Sequence, residues 1–245
     1  MKKLKAVFFD FGGVLALPKW SFKDFVRVTR EALKDYGINP PPEFDQIFLE
    51  VQREDINRAY RTLREYPFEI PLGEALKRAG IKCPRDILTE IVKKISEYEF
   101  HTLNEDAELV LRRLKEMGYI VGVISNTRLL IPRIFLQKKG LDKYLDVIVL
   151  SREVGYIKPH PKIFEVALNS TNVKPEESMY IGDVLEIDVY GAKRLGMIGV
   201  LYGEPEPVYS MVGLNLRSLV DKPIEPDYII KRLKEVLDIV ADLKD

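Results

Sequence analysis

The chain has 245 residues, of which 46% are hydrophobic, so it can form one sizeable α/β domain or such a domain with a smaller insert. Lys plus Arg and Asp plus Glu each number 38, and this zero formal net charge argues against a nucleic-acid-binding protein. No apolar run approaches the roughly 18 residues of a membrane span, which argues against a membrane partner. Cys83 is the single cysteine, which excludes an internal disulfide bond and favours either a reducing compartment or indifference to redox conditions. We expect a cytoplasmic protein.

The first predicted element is a buried strand over residues 4–9, which ends at Asp10. The pattern then changes to the helical period of 3.6 over residues 20–100. Four or five amphipathic helices without a strand predict a helical bundle inserted directly after the first strand. We therefore expect two domains, namely a core formed by residues 1–17 and 101–245 and a helical cap over residues 18–100.

Strand and helix patterns alternate from about residue 104 onward. The predicted strands cover residues 119–124, 146–150, 178–182 and 198–201. The predicted helices cover residues 105–117, 129–139, 161–169 and 186–195, and an irregular segment over 204–226 precedes a closing helix over 229–243. This alternation is typical of an α/β fold with a doubly wound, Rossmann-like parallel sheet.

Four of the apolar, strand-like runs end at, or shortly before, a residue suited to phosphoryl transfer. These residues are Asp10, the pair Ser125-Asn126, Lys158, and Asp183 with Asp188. Because ligands bind outside the carboxyl ends of the strands in an open parallel sheet, we expect the four groups to converge on one crevice. The acidic groups would hold a hard divalent cation through oxygen ligands, and the lysine and serine would face an anionic substrate.

Each of these residues also has a purely structural explanation when it is taken alone. Asp10 could cap a turn, Ser125 could cap the following helix, and Asp188 could compensate a helix dipole. Lys158 could be solvated. His160, between two prolines ahead of a helix, fits an exposed position better than the role of a general acid or base.

Together the four segments resemble the haloacid dehalogenase-like (HAD) hydrolase superfamily. The matching features are an Asp-x-x-Gly-Val turn, a Ser-Asn strand end, a Lys-Pro-x-Pro loop, and a Gly-Asp-x-x-x-x-Asp segment followed by Gly-Ala. The resemblance covers the whole chain except the helical insert, which fits the C1-type cap of that superfamily by its position and helicity. It implies a phosphatase that uses Mg²⁺ and acts on a small phosphorylated substrate.

The resemblance also implies a role for each site residue. Asp10 would be the nucleophile, Ser125 and the Asn126 backbone would hold the transferring phosphoryl group, and Lys158 would neutralise charge between nucleophile and phosphate. The implied Mg²⁺ ligands are Asp10, the carbonyl of Gly12, Asp183 and, through water or as a bracing group, Asp188.

The sequence departs from the superfamily at Gly12, where typical phosphatases carry a second Asp that protonates the leaving group. General acid–base catalysis contributes typically ~10²–10⁴ in rate, so we expect turnover to fall steeply as the leaving-group pKa rises. Gly12→Asp should flatten that dependence. If the dependence is flat in the wild type, or unchanged in the variant, a proton donor lies elsewhere, with the cap or His160 as candidates.

Two alternatives to a phosphatase follow from the same residues. One is a catalytically weak protein whose cap binds a partner, and the other is a 2-haloacid dehalogenase, which shares the fold and the Asp nucleophile without a metal. The missing acid at position 12 favours the first alternative, whereas the retained acidic residues Asp10, Asp183 and Asp188 argue against both. The sequence does not name the substrate or the oligomeric state, and it does not rank four cap residues as specificity determinants, namely Trp20, Arg27, Tyr60 and Arg64.

Overall fold

The computed structural model describes residues 3–203, 216–221 and 223–243. Its elements in chain order are β1 (Ala6–Phe9), β2 (Ala16–Pro18), α1 (Phe22–Asp35), α2 (Phe44–Thr62), α3 (Glu69–Arg78), α4 (Arg85–Ser96), β3 (His101–Leu103), α5 (Ala107–Glu116), β4 (Ile120–Ser125), α6 (Ile131–Lys138), β5 (Val147–Leu150), α7 (Ser151–Val154), α8 (Pro161–Thr171), β6 (Ser178–Gly182), α9 (Tyr190–Leu195), β7 (Ile198–Tyr202), β8 (Tyr228–Ile230) and α10 (Val236–Asp242). Most of the predicted irregular segment, residues 204–215 and 222, lies outside the described residues.

Six strands form one parallel sheet in the order β5-β4-β1-β6-β7-β8. The chain leaves the central strand β1 to build one half of the sheet and later crosses back to build the other half. This topology confirms the predicted α/β fold class. It also places a crevice at the carboxyl end of β1, where ligands bind in such sheets.

Helices cover both faces of the sheet because successive strand residues point to opposite sides. Val7 and Phe9 belong to a core that includes side chains of α5, α6 and α10. Ala6 and Phe8 belong to a second core with side chains of α8 and α9. A large apolar side chain that is fully buried contributes about 1.5–3 kcal/mol, so these two cores hold the strand ends in fixed positions.

The helices α1 to α4 form a separate apolar cluster that is rich in phenylalanine. Ser21 and Asp24 begin α1 with a capping box. An antiparallel ribbon, in which β2 pairs with β3, connects this helical insert to the sheet, and the sequence did not predict it. The boundaries proposed for the two domains stay a prediction. Among the described helices, none is both long enough and apolar enough to span a membrane.

Two predicted helices are wrong in part. Residues 229 and 230 of the predicted closing helix belong instead to β8, in which Ile230 is buried while Ile229 is 51% exposed. This alternation follows the strand period of two, and the helix α10 begins only at Val236. The predicted helix over 186–195 begins with a wide π-turn, Leu185–Val189, before α9.

Candidate active site

The seven predicted site residues line one cavity of 410 Å³ between the sheet and the helical insert. They are Asp10, Gly12, Ser125, Asn126, Lys158, Asp183 and Asp188. Each follows the carboxyl end of a parallel strand or ends one, and strand order brings these ends together. The insert contributes the opposite wall, which contains Trp20 and Tyr60.

Asp10 follows β1 directly, and its backbone N–H donates to the Ile181 carbonyl at 2.8 Å. Its Oδ1 accepts a hydrogen bond from the Phe11 N–H at 2.7 Å. The Lys158 Nζ lies 3.0 Å from the same oxygen. No described residue donates a hydrogen bond to Asp10 Oδ2, so this carboxylate is oriented through one oxygen and keeps the other available.

Lys158 is the centre of a buried ionic cluster, with only 1% of its surface exposed. Its Nζ lies 2.7 Å from Asp188 Oδ1 and donates to the Tyr180 hydroxyl at 2.8 Å. The Tyr180 hydroxyl in turn donates to the Ile124 carbonyl at 2.9 Å. The three donor hydrogens of the ammonium group therefore meet Asp10, Asp188 and Tyr180, which fixes the ammonium beside the Asp10 carboxylate.

The Asn126 side chain holds the backbone of Lys158 on both sides. Its Oδ1 accepts from the Lys158 N–H at 2.7 Å, and its Nδ2 donates to the Lys158 carbonyl at 3.2 Å. The side chain of Asn126 is thus a positioning group, and its backbone remains the part that can face a phosphate. Ser125 ends β4 with 4% exposure, and no described residue bonds to its hydroxyl.

The carboxylates of Asp10, Asp183 and Asp188 form an acidic cluster in which one oxygen from each lies within 4.8 Å of the others. Two glycines permit this approach. A Cβ added at Gly13, which has φ +81°, would collide with the Asp183 carboxylate, and a Cβ added at Gly182 would collide with the Asp188 side chain. The oxygen-only donor set and its size fit a hard divalent cation.

The electrostatics of the cluster favour a bound cation. Burial, together with the neighbouring carboxylates Asp188 and Asp10, raises the pKa of Asp183 to about 8. Burial also raises the pKa of Asp10 to about 6, against the opposing effect of Lys158. Burial lowers the pKa of Lys158, but the carboxylates Asp10 and Asp188 outweigh that effect and hold it above its ordinary value. One lysine does not neutralise three carboxylates, so a bound cation would stabilise their ionised forms.

Of the four cap residues considered as specificity determinants, two line the cavity and two do not, and His160 lies outside the cavity. Trp20 and Tyr60 line the cavity, whereas Arg27 donates to Glu31 on the insert surface and the Arg64 guanidinium lies 4.1 Å from the centre of the Tyr156 ring. His160 does not line the cavity. Its Nδ1 accepts from the Lys162 N–H at 3.1 Å and its ring stacks on Tyr156, as expected for the cap of α8.

Sequence reasoning missed two groups in or beside the cavity. Tyr180 lies inside a buried strand, and its partners come from distant segments, so no local pattern indicates its role. His101 lies in β3, lines the cavity and packs its ring edge-on against Phe11 at 5.1 Å between centroids. Burial and Lys19 lower the pKa of His101 to about 4, so its imidazole is neutral at pH 7.

Polar contacts link the helical insert to the loop after β4 beside the cavity. Asp55 of α2, which is 6% exposed, pairs with Arg128 in the loop after β4 and with Arg58. Glu65, in the segment between α2 and α3, accepts from the Ser151 hydroxyl at 3.2 Å. The Ser151 oxygen also accepts from the Thr127 N–H at 2.7 Å, so these contacts link the insert to the loop beside Ser125.

Comparison with known proteins agrees with this geometry. A family model of haloacid dehalogenase-like hydrolases matches residues 4–196, and the chain belongs to that family. A relative from Methanothermobacter thermautotrophicus, named glyceraldehyde 3-phosphate phosphatase, is 40% identical over 208 residues, which is 81% of this chain and 85% of the relative. A relative of the same name from Methanopyrus kandleri is 28% identical over 247 residues, 98% of each chain.

A solved structure of a HAD phosphatase from Thermococcus onnurineus has a TM-score of 0.60 and 25% identity, covering 97% of this chain and 98% of its own. The predicted family and the predicted class, a HAD-like hydrolase of the phosphatase type, are confirmed by these matches.

Proposed function

We propose that the protein is a Mg²⁺-dependent phosphomonoester hydrolase that works through an aspartyl-phosphate at Asp10. The observation that carries this proposal is the grouping of Asp10, Lys158, Asp183 and Asp188 at one cavity. A carboxylate held by a buried ammonium group is positioned as a nucleophile, and the neighbouring carboxylates are suited to a cation rather than to a halide.

In the first step an oxygen of Asp10 attacks phosphorus, and the bond between phosphorus and the ester oxygen breaks. The Phe11 N–H and the Lys158 ammonium hold the attacking carboxylate through Oδ1. The Ser125 hydroxyl, which bonds to no described residue, is free to donate to a phosphoryl oxygen. In the second step water attacks phosphorus and releases Asp10, which returns the carboxylate to its starting state.

Asp10, the Gly12 carbonyl and Asp183 would hold the Mg²⁺, with Asp188 as a bracing group or a ligand through water. A bound Mg²⁺ would neutralise charge on the phosphoryl oxygens. Asp188 already accepts from the Val184 N–H at 3.0 Å and from Lys158, which suits a bracing role better than direct ligation.

The substrate class that we propose is a small phosphorylated metabolite. Glyceraldehyde 3-phosphate is the first compound to test, because two relatives of high coverage carry that activity in their names. The cavity wall from the insert is aromatic, with Trp20, Phe25, Phe68 and Phe100. It would therefore contact the part of the substrate that leaves rather than the phosphate.

The test is phosphate release from p-nitrophenyl phosphate and from glyceraldehyde 3-phosphate, with Mg²⁺, with EDTA, and with EDTA followed by excess Mg²⁺. We expect release that EDTA suppresses and Mg²⁺ restores. Intact-mass spectrometry after an acid quench should show a phosphorylated chain. Halide release from 2-haloacids that is insensitive to EDTA would instead indicate a dehalogenase, and no turnover of any ester would indicate a binding protein.

A further inference from the structure

The departing oxygen of an alkyl phosphate is strongly basic and needs a proton in the transition state. The groups on the sheet side of the cavity already have other tasks in the proposed reaction. Asp10 attacks phosphorus, and Asp183 and Asp188 form the acidic cluster. The Lys158 ammonium has all three of its protons directed at Asp10, Asp188 and Tyr180.

Three further polar side chains of the cavity do not fit a proton donor. The Thr127 hydroxyl donates to the Leu129 carbonyl at 3.1 Å. The Arg128 guanidinium pairs with Asp55 at 2.7 Å and holds its protons too firmly for transfer. His101 is neutral at pH 7, and a neutral imidazole N–H is a far weaker acid than a phenol.

With the Ser125 hydroxyl assigned to a phosphoryl oxygen, Tyr60 is the remaining hydroxyl group among the described residues that line the cavity. It lies near the carboxyl end of α2, is partly buried and lines the cavity from the side of the insert. Its hydroxyl has no hydrogen-bond partner among the residues that the structure describes. The charges of Lys158, Asp10 and Asp188 act on this hydroxyl, which places it within electrostatic reach of the acidic cluster.

We propose that the Tyr60 hydroxyl is the acid–base group that the residue at position 12 does not supply. This inference rests on the proposed phosphatase function. As the bond between phosphorus and the ester oxygen breaks, the Tyr60 O–H bond breaks and its proton passes to that oxygen, which leaves as an alcohol. The resulting phenolate then takes a proton from the water that attacks the aspartyl-phosphate, so Tyr60 ends each turnover as it began.

The acidity of Tyr60 is compatible with this exchange. Burial raises the pKa of Tyr60 to about 12, with a lowering effect from Lys158 and raising effects from the carboxylates. The hydroxyl is therefore protonated at pH 7. Aliphatic alcohols have higher pKa values still, so proton transfer from the phenol to a departing alkoxide is downhill. A departing nitrophenolate needs no proton. Comparing nitrophenyl with alkyl phosphates therefore shows whether a proton donor contributes to the reaction.

The test is Tyr60→Phe in the full chain with Mg²⁺, assayed on a series of phosphate esters from p-nitrophenyl phosphate to alkyl phosphates of rising leaving-group pKa. Phe keeps the ring and removes only the hydroxyl. We expect kcat on alkyl esters to fall ~10²-fold and kcat on p-nitrophenyl phosphate to change less than ~3-fold, so the leaving-group dependence steepens. Tyr66→Phe is the control, since Tyr66 lies on the insert surface with 41% exposure.

An equal loss on every ester would show that the hydroxyl serves the structure of the site and would overturn the proposal. So would an unchanged profile. A wild-type enzyme that hydrolyses aryl esters only would also overturn it, because no proton would then reach an alkoxide. If the wild type hydrolyses no ester at all, the phosphatase function fails first, and that result is distinct from any effect of the variant.

Discussion

The carboxylate of Asp55, in the helical insert, lies 2.7 Å from the guanidinium of Arg128, in the loop that follows β4. The Asp55 side chain is 6% exposed and that of Arg128 is 17% exposed, so water screens this ion pair only in part. Arg128 comes three residues after Ser125, whose hydroxyl faces the same cavity. The pair therefore couples the position of the insert to the loop that we assign to phosphate binding.

Asp55→Asn should lower the free energy of unfolding by ~1–3 kcal/mol, because it leaves a guanidinium partly buried without its charged partner. Chemical denaturation measures the change. Glu54→Gln is the matched control on the same helix, because the Glu54 pair with Arg78 is exposed and such pairs contribute little to stability. Equal effects of the two substitutions would mean that the contact with Arg128 adds nothing.

Asp10→Asn should remove activity well beyond any loss of stability, because the amide is not a nucleophile. We expect less than about a tenth of wild-type turnover on p-nitrophenyl phosphate, where a tenth corresponds to ~1.4 kcal/mol of barrier. A thermal melt shows whether the variant is folded. A folded variant with more than that fraction of activity would contradict the covalent mechanism.

Gly13→Ala should weaken Mg²⁺ activation at least ~10-fold, because the added Cβ would push the Asp183 carboxylate out of the acidic cluster. The substitution also strains a left-handed backbone, which costs roughly 1–2 kcal/mol. Gly118→Ala separates the two effects, since Gly118 has φ +85° with nothing within 4 Å of the added Cβ. A Mg²⁺ titration of activity should change in Gly13→Ala and not in Gly118→Ala.

Glu65→Gln should stabilise the protein more at pH 8 than at pH 5. Burial raises the pKa of Glu65 from 4.5 to about 7, with Arg128 and Ser151 opposing the rise. Between those values the folded protein keeps a proton that the unfolded chain loses, so this group's contribution to stability falls as pH rises. The difference in the free energy of unfolding between variant and wild type should grow by ~1–3 kcal/mol from pH 5 to pH 8, as measured by urea unfolding at each pH. A constant difference would contradict the raised pKa.

Gly12→Asp tests whether the cap supplies the proton. Gly12 is not in the left-handed region, and nothing lies within 4 Å of an added Cβ, so the aspartate should be accommodated. The sequence alone predicts that Gly12→Asp flattens the leaving-group dependence. With Tyr60 as the proposed donor, we instead expect little gain on alkyl phosphates in the wild-type background. In the Tyr60→Phe background the same substitution should raise alkyl turnover ~10-fold or more. A large gain in the wild type would instead mean that position 12 was the missing acid.

The sheet and the position of the crevice could be predicted because the polar residues follow apolar runs. A buried strand ending at Asp10 or at Ser125 carries a local signal, and parallel topology then brings the strand ends together. The short strand β8 carries no such signal. Its two isoleucines precede a true helix, and three residues are too few for an alternating pattern to be distinguished from a helical one.

The groups that complete the site could not be predicted because their partners are distant in sequence. Tyr180 contacts Lys158 and Ile124, which are 22 and 56 residues away. Glu65 contacts Ser151 across 86 residues. Sequence patterns report only on neighbours along the chain. They therefore identified Tyr60 and Arg64 as possible specificity residues without showing that Tyr60 lines the cavity and Arg64 does not.

The π-turn at Leu185–Val189 makes the length of the spacer between Asp183 and Asp188 a part of the site. Each residue of a helical turn rotates the direction of the next side chain, so a one-residue deletion would swing Asp188 away from the Lys158 ammonium. Substitutions do not change that rotation, so apolar side chains such as Val184 and Ile187 are compatible with the spacer. The length of this segment therefore sets the position of Asp188, and a deletion there would cost the lysine one of its two counter-charges.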